Sequence, residues 1–161
     1  VTVQAIPENP HFQGIYRRTA DSACVVAVAP RSFMSVPEVR AVLSELLEAP
    51  PHRFVFTVLH SGEGLEDDAV SDEVVAARKF HRMRTPEGPV ESQLAERIHL
   101  TLPDTAVLSM TDDIKDLGGD SLLCLELSEA IADIWDVEIE PVDVFRVDSL
   151  AALAADVEAG R

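Results

Sequence analysis

DLGGDSLLCLEL, residues 116–127, contains the most chemically suggestive residue in the chain, Ser121. Gly118 and Gly119 allow a tight turn, including positive φ, just ahead of it. Immediately after it the pattern becomes apolar and helical. Asp120 or Ser121 is suited to cap the free amides of the first helical turn. A helix N-terminus favours a negative group, so a phosphodiester on Ser121 would sit well there. Leu117 and Leu122 bracket the motif, and Leu122 is expected beside the serine in solvent. A capping serine gains nothing from such a neighbour, whereas a serine presented to another protein does.

The elements that would position Ser121 can be read outward from it. Val90, Leu94, Ala95, Ile98 and Leu100 recur at helical spacing, with Pro89 placed for a first turn. Pro103 ends that helix near 101–104. A long loop, about 103–120, carries TDDIKDLGG. In 121–135, Leu122, Leu125, Ile131, Ile134 and Trp135 fall on or near one stripe of a second helix. Residues 141–146 form at most a short helix after Pro141. Ser149 is a plausible N-cap for a last helix that Gly160 stops. Four helices, one of them short, then build a core of Leu and Ile over about 75 residues.

Charge divides the chain at about the same place. Residues 1–85 hold 11 acids and 9 bases, residues 86–161 hold 18 acids and 4 bases, and the net charge is −16. So acidic a second half repels nucleic acid and anionic membrane, because phosphate binding needs clustered Lys and Arg. It attracts basic protein surfaces. No run of 18 apolar residues suggests a membrane span, and no basic-then-apolar start suggests a signal peptide. Cys24 and Cys124 read as two reduced thiols of a cytoplasmic protein. The five histidines and two cysteines show no metal-ligand spacing, and no catalytic constellation is visible. RMRTPEGPVES, with Pro86, Gly88 and Pro89, reads as the seam.

At DDIKDLGGDSLLCLEL the sequence resembles the attachment site of carrier proteins, and more narrowly the peptidyl carrier (thiolation) domains of nonribosomal peptide synthetases. The likeness extends over about 86–159, including TPEGPVESQLAERI and DVEIEPVDVFRVDSLAALAADVE. It departs where the family has an aromatic pair and this chain has Ile114 and Lys115. Ile114 can still fill the core, and Lys115 is expected in solvent. The resemblance implies that a phosphopantetheinyl transferase places 4'-phosphopantetheine on Ser121, reading Gly119, Asp120 and Leu122. The arm would then hold aminoacyl or acyl cargo as thioesters for adenylation, condensation or other tailoring enzymes of nonribosomal peptide or hybrid polyketide synthesis. The carrier itself would catalyse nothing. Leu122, Cys124, Leu125 and Phe145 are the candidate docking contacts, with Glu126 and Glu129 facing basic partner surfaces.

The first half is harder to read. VTVQAI, ACVVAVAP (23–30) and RFVFTVL (53–59) suit strands. VPEVRAVLSELLEA (36–49) and DEVVAARKF (72–80) suit helices, and SGEGLEDD suits a turn. The run from ACVVAVAP to SGEG is similar to the small C-terminal subdomain of adenylation domains. The turn where that family keeps its catalytic lysine has none here, which implies a degenerate copy. The expected architecture is α+β overall: residues 1–82 a small α/β domain, either a degenerate adenylation subdomain or an interaction domain; 83–89 a linker; 90–159 a four-helix-bundle carrier domain. The alternative makes the first domain an enzyme acting on cargo tethered to the carrier. A chain opening on Val1 reads as an excised segment.

Overall fold

The valine-rich run 23–30 becomes β3 (Ala23–Pro30), the middle strand of a five-stranded sheet ordered β1-β2-β3-β4-β5. Val26, Ala27, Val28 and Ala29 are all buried. A continuous apolar run of this kind marks a strand covered on both faces. The computed structural model describes residues 2–6, 9–20, 23–60, 72–103, 105 and 107–160. β1 (Thr2–Ile6), β2 (Phe12–Ala20) and β3 pair antiparallel in succession, and β4 (Phe54–Val58) joins β3 in parallel. A parallel pair needs a crossover. The connecting segment carries α1 (Val36–Leu46) and a 3-10 turn at Pro51–Arg53. α2 (Asp72–Ala77) precedes the two-residue strand β5 (His81–Arg82), where the buried His81 packs its ring 5.2 Å from that of Phe56.

The strands and helices expected in 1–82 are present, and β2 and β5 were not foreseen. β2 hides because its register shifts between Phe12 and Gly14. A bulge adds one residue, so Phe12 and Ile15 are both buried at a spacing that breaks strict alternation. The SGEGLEDD turn lies outside the described residues.

The chain divides into two compact units, Val1–Met34 with Ser44–Arg82, and Ser35–Leu43 with Met83–Arg161. The division differs from the expected 1–82 and 90–159 joined by a linker at 83–89 in two respects. Ser35–Leu43 goes with the second unit. So does the whole of the expected linker, 83–89, where the Arg84 amide donates to Ser109 Oγ at 2.8 Å and its carbonyl accepts from the Met110 amide at 2.8 Å.

In the second unit α3 (Gly88–Thr101), α4 (Ser121–Trp135), α5 (Pro141–Arg146) and α6 (Leu150–Ala159) share one apolar core. It is built from Val90, Leu94 and Ile98, from Leu123, Leu127, Ile131 and Trp135, and from Val144, Leu150, Leu153 and Val157. The long loop contributes Leu108, Met110, Ile114 and Leu117. Ser149 caps α6 by accepting from the Ala152 amide at 3.1 Å. The stripe expected on α4 was mis-phased: Ile131 and Trp135 are buried, but Leu122, Leu125 and Ile134 are exposed. The true inner face is 123, 124, 127, 130, 131 and 135. SLLCLEL is apolar on both sides of the helix, so periodicity alone could not choose between them.

Candidate functional site

The loop that delivers Ser121 is ordered by its own acids. The Asp113 amide donates to Asp116 Oδ2 at 3.1 Å and the Asp116 amide to Asp113 Oδ1 at 2.8 Å. The two glycines then do different work. Gly118 has φ +71°, in the left-handed region. Gly119 is needed for closeness: its amide donates to the Ile114 carbonyl at 2.9 Å, and an added Cβ would lie 2.6 Å from Leu123 Cδ2.

Asp120, not Ser121, is the N-cap of α4. Its Oδ1 accepts from the amides of Leu122 at 3.0 Å and Leu123 at 3.1 Å. Ser121 is the first helical residue, exposed, with its hydroxyl outside the cap. Of the first-turn amides, those of Leu122 and Leu123 are thus engaged by Asp120.

Ser121 lies on the lip of a groove of about 570 Å³ lined by Gly119, Asp120, Ser121, Cys124, Pro141, Val142 and Phe145. Its walls are mostly carbon. Leu122 (60% exposed), Leu125 (44%), Val142 (50%) and Phe145 (38%) are among the exposed apolar side chains of α4 and α5. Cys124 lines the groove but is almost wholly buried, at 1% exposure, so it offers little surface for docking. Burial, and secondarily the charge of Asp120, push its thiol above the usual range, which makes it a poor nucleophile. Pro141 and Val142 were missed, although Val142 and Phe145 three apart, with Val144 turned inward, are the sequence signature of a short helix with two apolar sides. Lys115 is exposed, with Nζ 5.2 Å from the Phe145 ring centroid, a cation–π distance. Ile114 is fully buried. Glu126 and Glu129 are exposed.

An exposed primary hydroxyl at a helix start, reached through two glycines and set beside an apolar groove, fits a covalently attached arm. The neighbouring carboxylate is committed to the cap and leaves the hydroxyl unobstructed. Residues 90–157 match the family described as phosphopantetheine attachment site. No curated protein matches the chain. Residues 90–157 thus match a kind of domain that binds the 4'-phosphopantetheine prosthetic group. Domains of this class are modified by a phosphopantetheinyl transferase and work with synthase enzymes. No helix among the described residues is long and apolar enough to cross a membrane.

Proposed function

We propose that this chain is a peptidyl or acyl carrier of a nonribosomal peptide, or hybrid polyketide, assembly system, with Ser121 as the attachment residue. The observation that carries the reading is the exposed Ser121 hydroxyl at the first position of α4, freed from capping by Asp120, inside the matched domain. When bound, the arm supplies a terminal thiol that holds aminoacyl or acyl cargo as a thioester. The chain's own residues do the rest. Gly119, Asp120 and Leu122 fix and mark the serine for the transferase. Leu122, Leu125, Val142 and Phe145 offer an apolar docking surface, and Glu126 and Glu129 draw basic partners toward it. The double glycine and the similarity of 1–80 to an adenylation subdomain favour peptide over fatty-acid assembly. The carrier catalyses nothing; the first unit spaces it or docks a partner.

The test has two stages. The chain is first incubated with coenzyme A and a broad-specificity transferase, and its intact mass is recorded. An acetyl or aminoacyl thioester is then installed by the same route and followed over hours. The expected results are a single arm and a thioester lost no faster in the native chain than in the urea-unfolded chain. Rapid native turnover would overturn the non-catalytic reading and favour an enzyme in the first unit.

A further inference from the structure

A carboxylate sealed from water requires strong partners, and Asp112, on the loop that leads to Ser121, is fully buried. Its partner lies 72 residues away in sequence. Arg40 of α1, also fully buried, donates from Nη1 to Asp112 Oδ2 at 2.9 Å and from Nη2 to Oδ1 at 2.7 Å. Nη1 also reaches the Val107 carbonyl at 2.7 Å, and the Ser109 amide donates to Asp112 Oδ2 at 2.8 Å. Two parallel bonds from a planar guanidinium fix orientation as well as distance.

The segment that brings Arg40 here is itself well set. Ser35 and Glu38 form a capping box, with the Ser35 amide donating to Glu38 Oε2 at 2.7 Å and the Glu38 amide to Ser35 Oγ at 3.4 Å. The Val36 amide donates to the Asp116 carbonyl at 2.7 Å. Val36, Val39 and Leu43 are buried. From the other side, the α6 amides of Leu150 and Ala151 donate to the carbonyls of Asp112 at 2.8 Å and Met110 at 2.9 Å. The loop is thus held at Val107, Met110, Asp112 and Asp116, just ahead of the glycines and Ser121. The matched family region starts at residue 90 and does not include α1.

We propose that Arg40 is a positioning residue for the modification of Ser121. Through its fork on Asp112 it fixes the loop 107–120, so that the serine meets the transferase in one geometry. The inference rests on Ser121 being the attachment residue. A buried ion pair is weak evidence for stability, since uncharged residues of similar volume often serve as well. What such residues cannot reproduce is the directional tie, so stability and presentation can be separated by substitution.

The full chain is loaded from coenzyme A by a transferase, with initial rates from intact mass at several carrier concentrations. Thermal unfolding and amide hydrogen exchange are measured on the same samples. Wild type is compared with Arg40→Met, Arg40→Met/Asp112→Asn and Arg40→Lys. Arg40→Met is expected to lower kcat/KM about tenfold to a hundredfold, lower Tm, and speed exchange over 113–120 more than in α3 or α6. Adding Asp112→Asn removes the unpaired charge and restores Tm, while loading stays slow and the loop stays fast-exchanging. Should the double variant not fold, Arg40→Lys carries the test: it keeps the charge but lacks the fork, and slow loading with a near-native Tm is expected. Loading that recovers together with Tm, or an Arg40→Met or Arg40→Lys chain loading at the wild-type rate, would overturn the proposal. A folded wild type that takes no arm on Ser121 overturns the site itself and this inference with it. A wild type that loads alongside equally fast Arg40 variants overturns this inference alone.

Discussion

Leu123 leaves no room for a side chain at Gly119: a Cβ there would stand 2.6 Å from Leu123 Cδ2 and 2.7 Å from Ile114 Cγ2. Both neighbours are buried in the core of the second unit and cannot swing into solvent. The second glycine of the motif is therefore a packing requirement. Gly119→Ala is expected to cost about 1–3 kcal/mol through overpacking, read as a lower urea midpoint. Because the strain falls between the loop and the first turn of α4, loading at Ser121 slows as well. A neutral Gly119→Ala would show that the two segments separate easily.

Asp120 and Ser121 differ in what they hold. Asp120→Ala removes the α4 cap and is expected to cost about 0.5–2 kcal/mol. Ser121→Ala leaves that cap intact and is expected to stay within about 0.5 kcal/mol of wild type. Chemical denaturation of the two variants distinguishes them. Equal destabilisation would mean that the serine hydroxyl is part of the cap.

How much of this was legible in the sequence depends on whether the local signal had a single meaning. The start of α4, the Ser149 cap and the end of α3 near Pro103 each appear where expected, although the cap of α4 was open between Asp120 and Ser121 until the fold assigned it to Asp120. The phase of α4 was not legible, because Leu122 and Leu125 on the outside are as apolar as Leu123 and Leu127 on the inside. Arg40 had a signal that was passed over: Val36, Arg40 and Leu43, spaced by four and three, put an arginine on the apolar side of its own helix. Its partner Asp112, far away in sequence, had none. Glycine, acid and hydroxyl in that order suit a plain turn and cap equally well, so the serine was legible through the apolar residues around it and the resemblance of the whole stretch to a carrier attachment site, whereas the groove beside it depends on α5 packing that only the fold supplies.

The outer face of α4 and α5 is predicted to matter for partners rather than for folding. Leu122→Ala removes an exposed side chain and should change stability by no more than about 0.5 kcal/mol, while Phe145→Ala, which removes a partly buried ring, should cost about 1 kcal/mol. They should nevertheless raise the KM of the transferase for the carrier. Leu123→Ala, one residue away and buried, is expected to cost about 2–5 kcal/mol. Thermal melts paired with loading kinetics check both halves.

Acid sensitivity should trace in part to Glu91. Arg84 Nη2 reaches its Oε1 at 2.7 Å and Nη1 its Oε2 at 3.1 Å, while the Glu87 amide donates to Oε2 at 2.7 Å. The Arg84 bonds, opposed by burial and aided by the Glu87 amide, hold its carboxyl below the usual carboxylate range. A carboxyl whose folded pKa lies below its unfolded value stabilises the fold above the unfolded pKa of about 4.3, and that stability is lost as pH falls through the folded value. Glu91→Gln is therefore expected to lower Tm near neutral pH and to flatten the decline of Tm with acid below about pH 5. A variant whose Tm declines with acid as steeply as wild type would show that this ion pair does not couple to folding.

The most direct test of the account is the intact mass and peptide map of the full chain after reaction with coenzyme A and a phosphopantetheinyl transferase, run beside Ser121→Ala. The predicted result is one phosphopantetheine, on the peptide that contains Ser121, and none on the folded variant. A folded wild-type chain that gains no mass, or an arm that persists in Ser121→Ala, would contradict it.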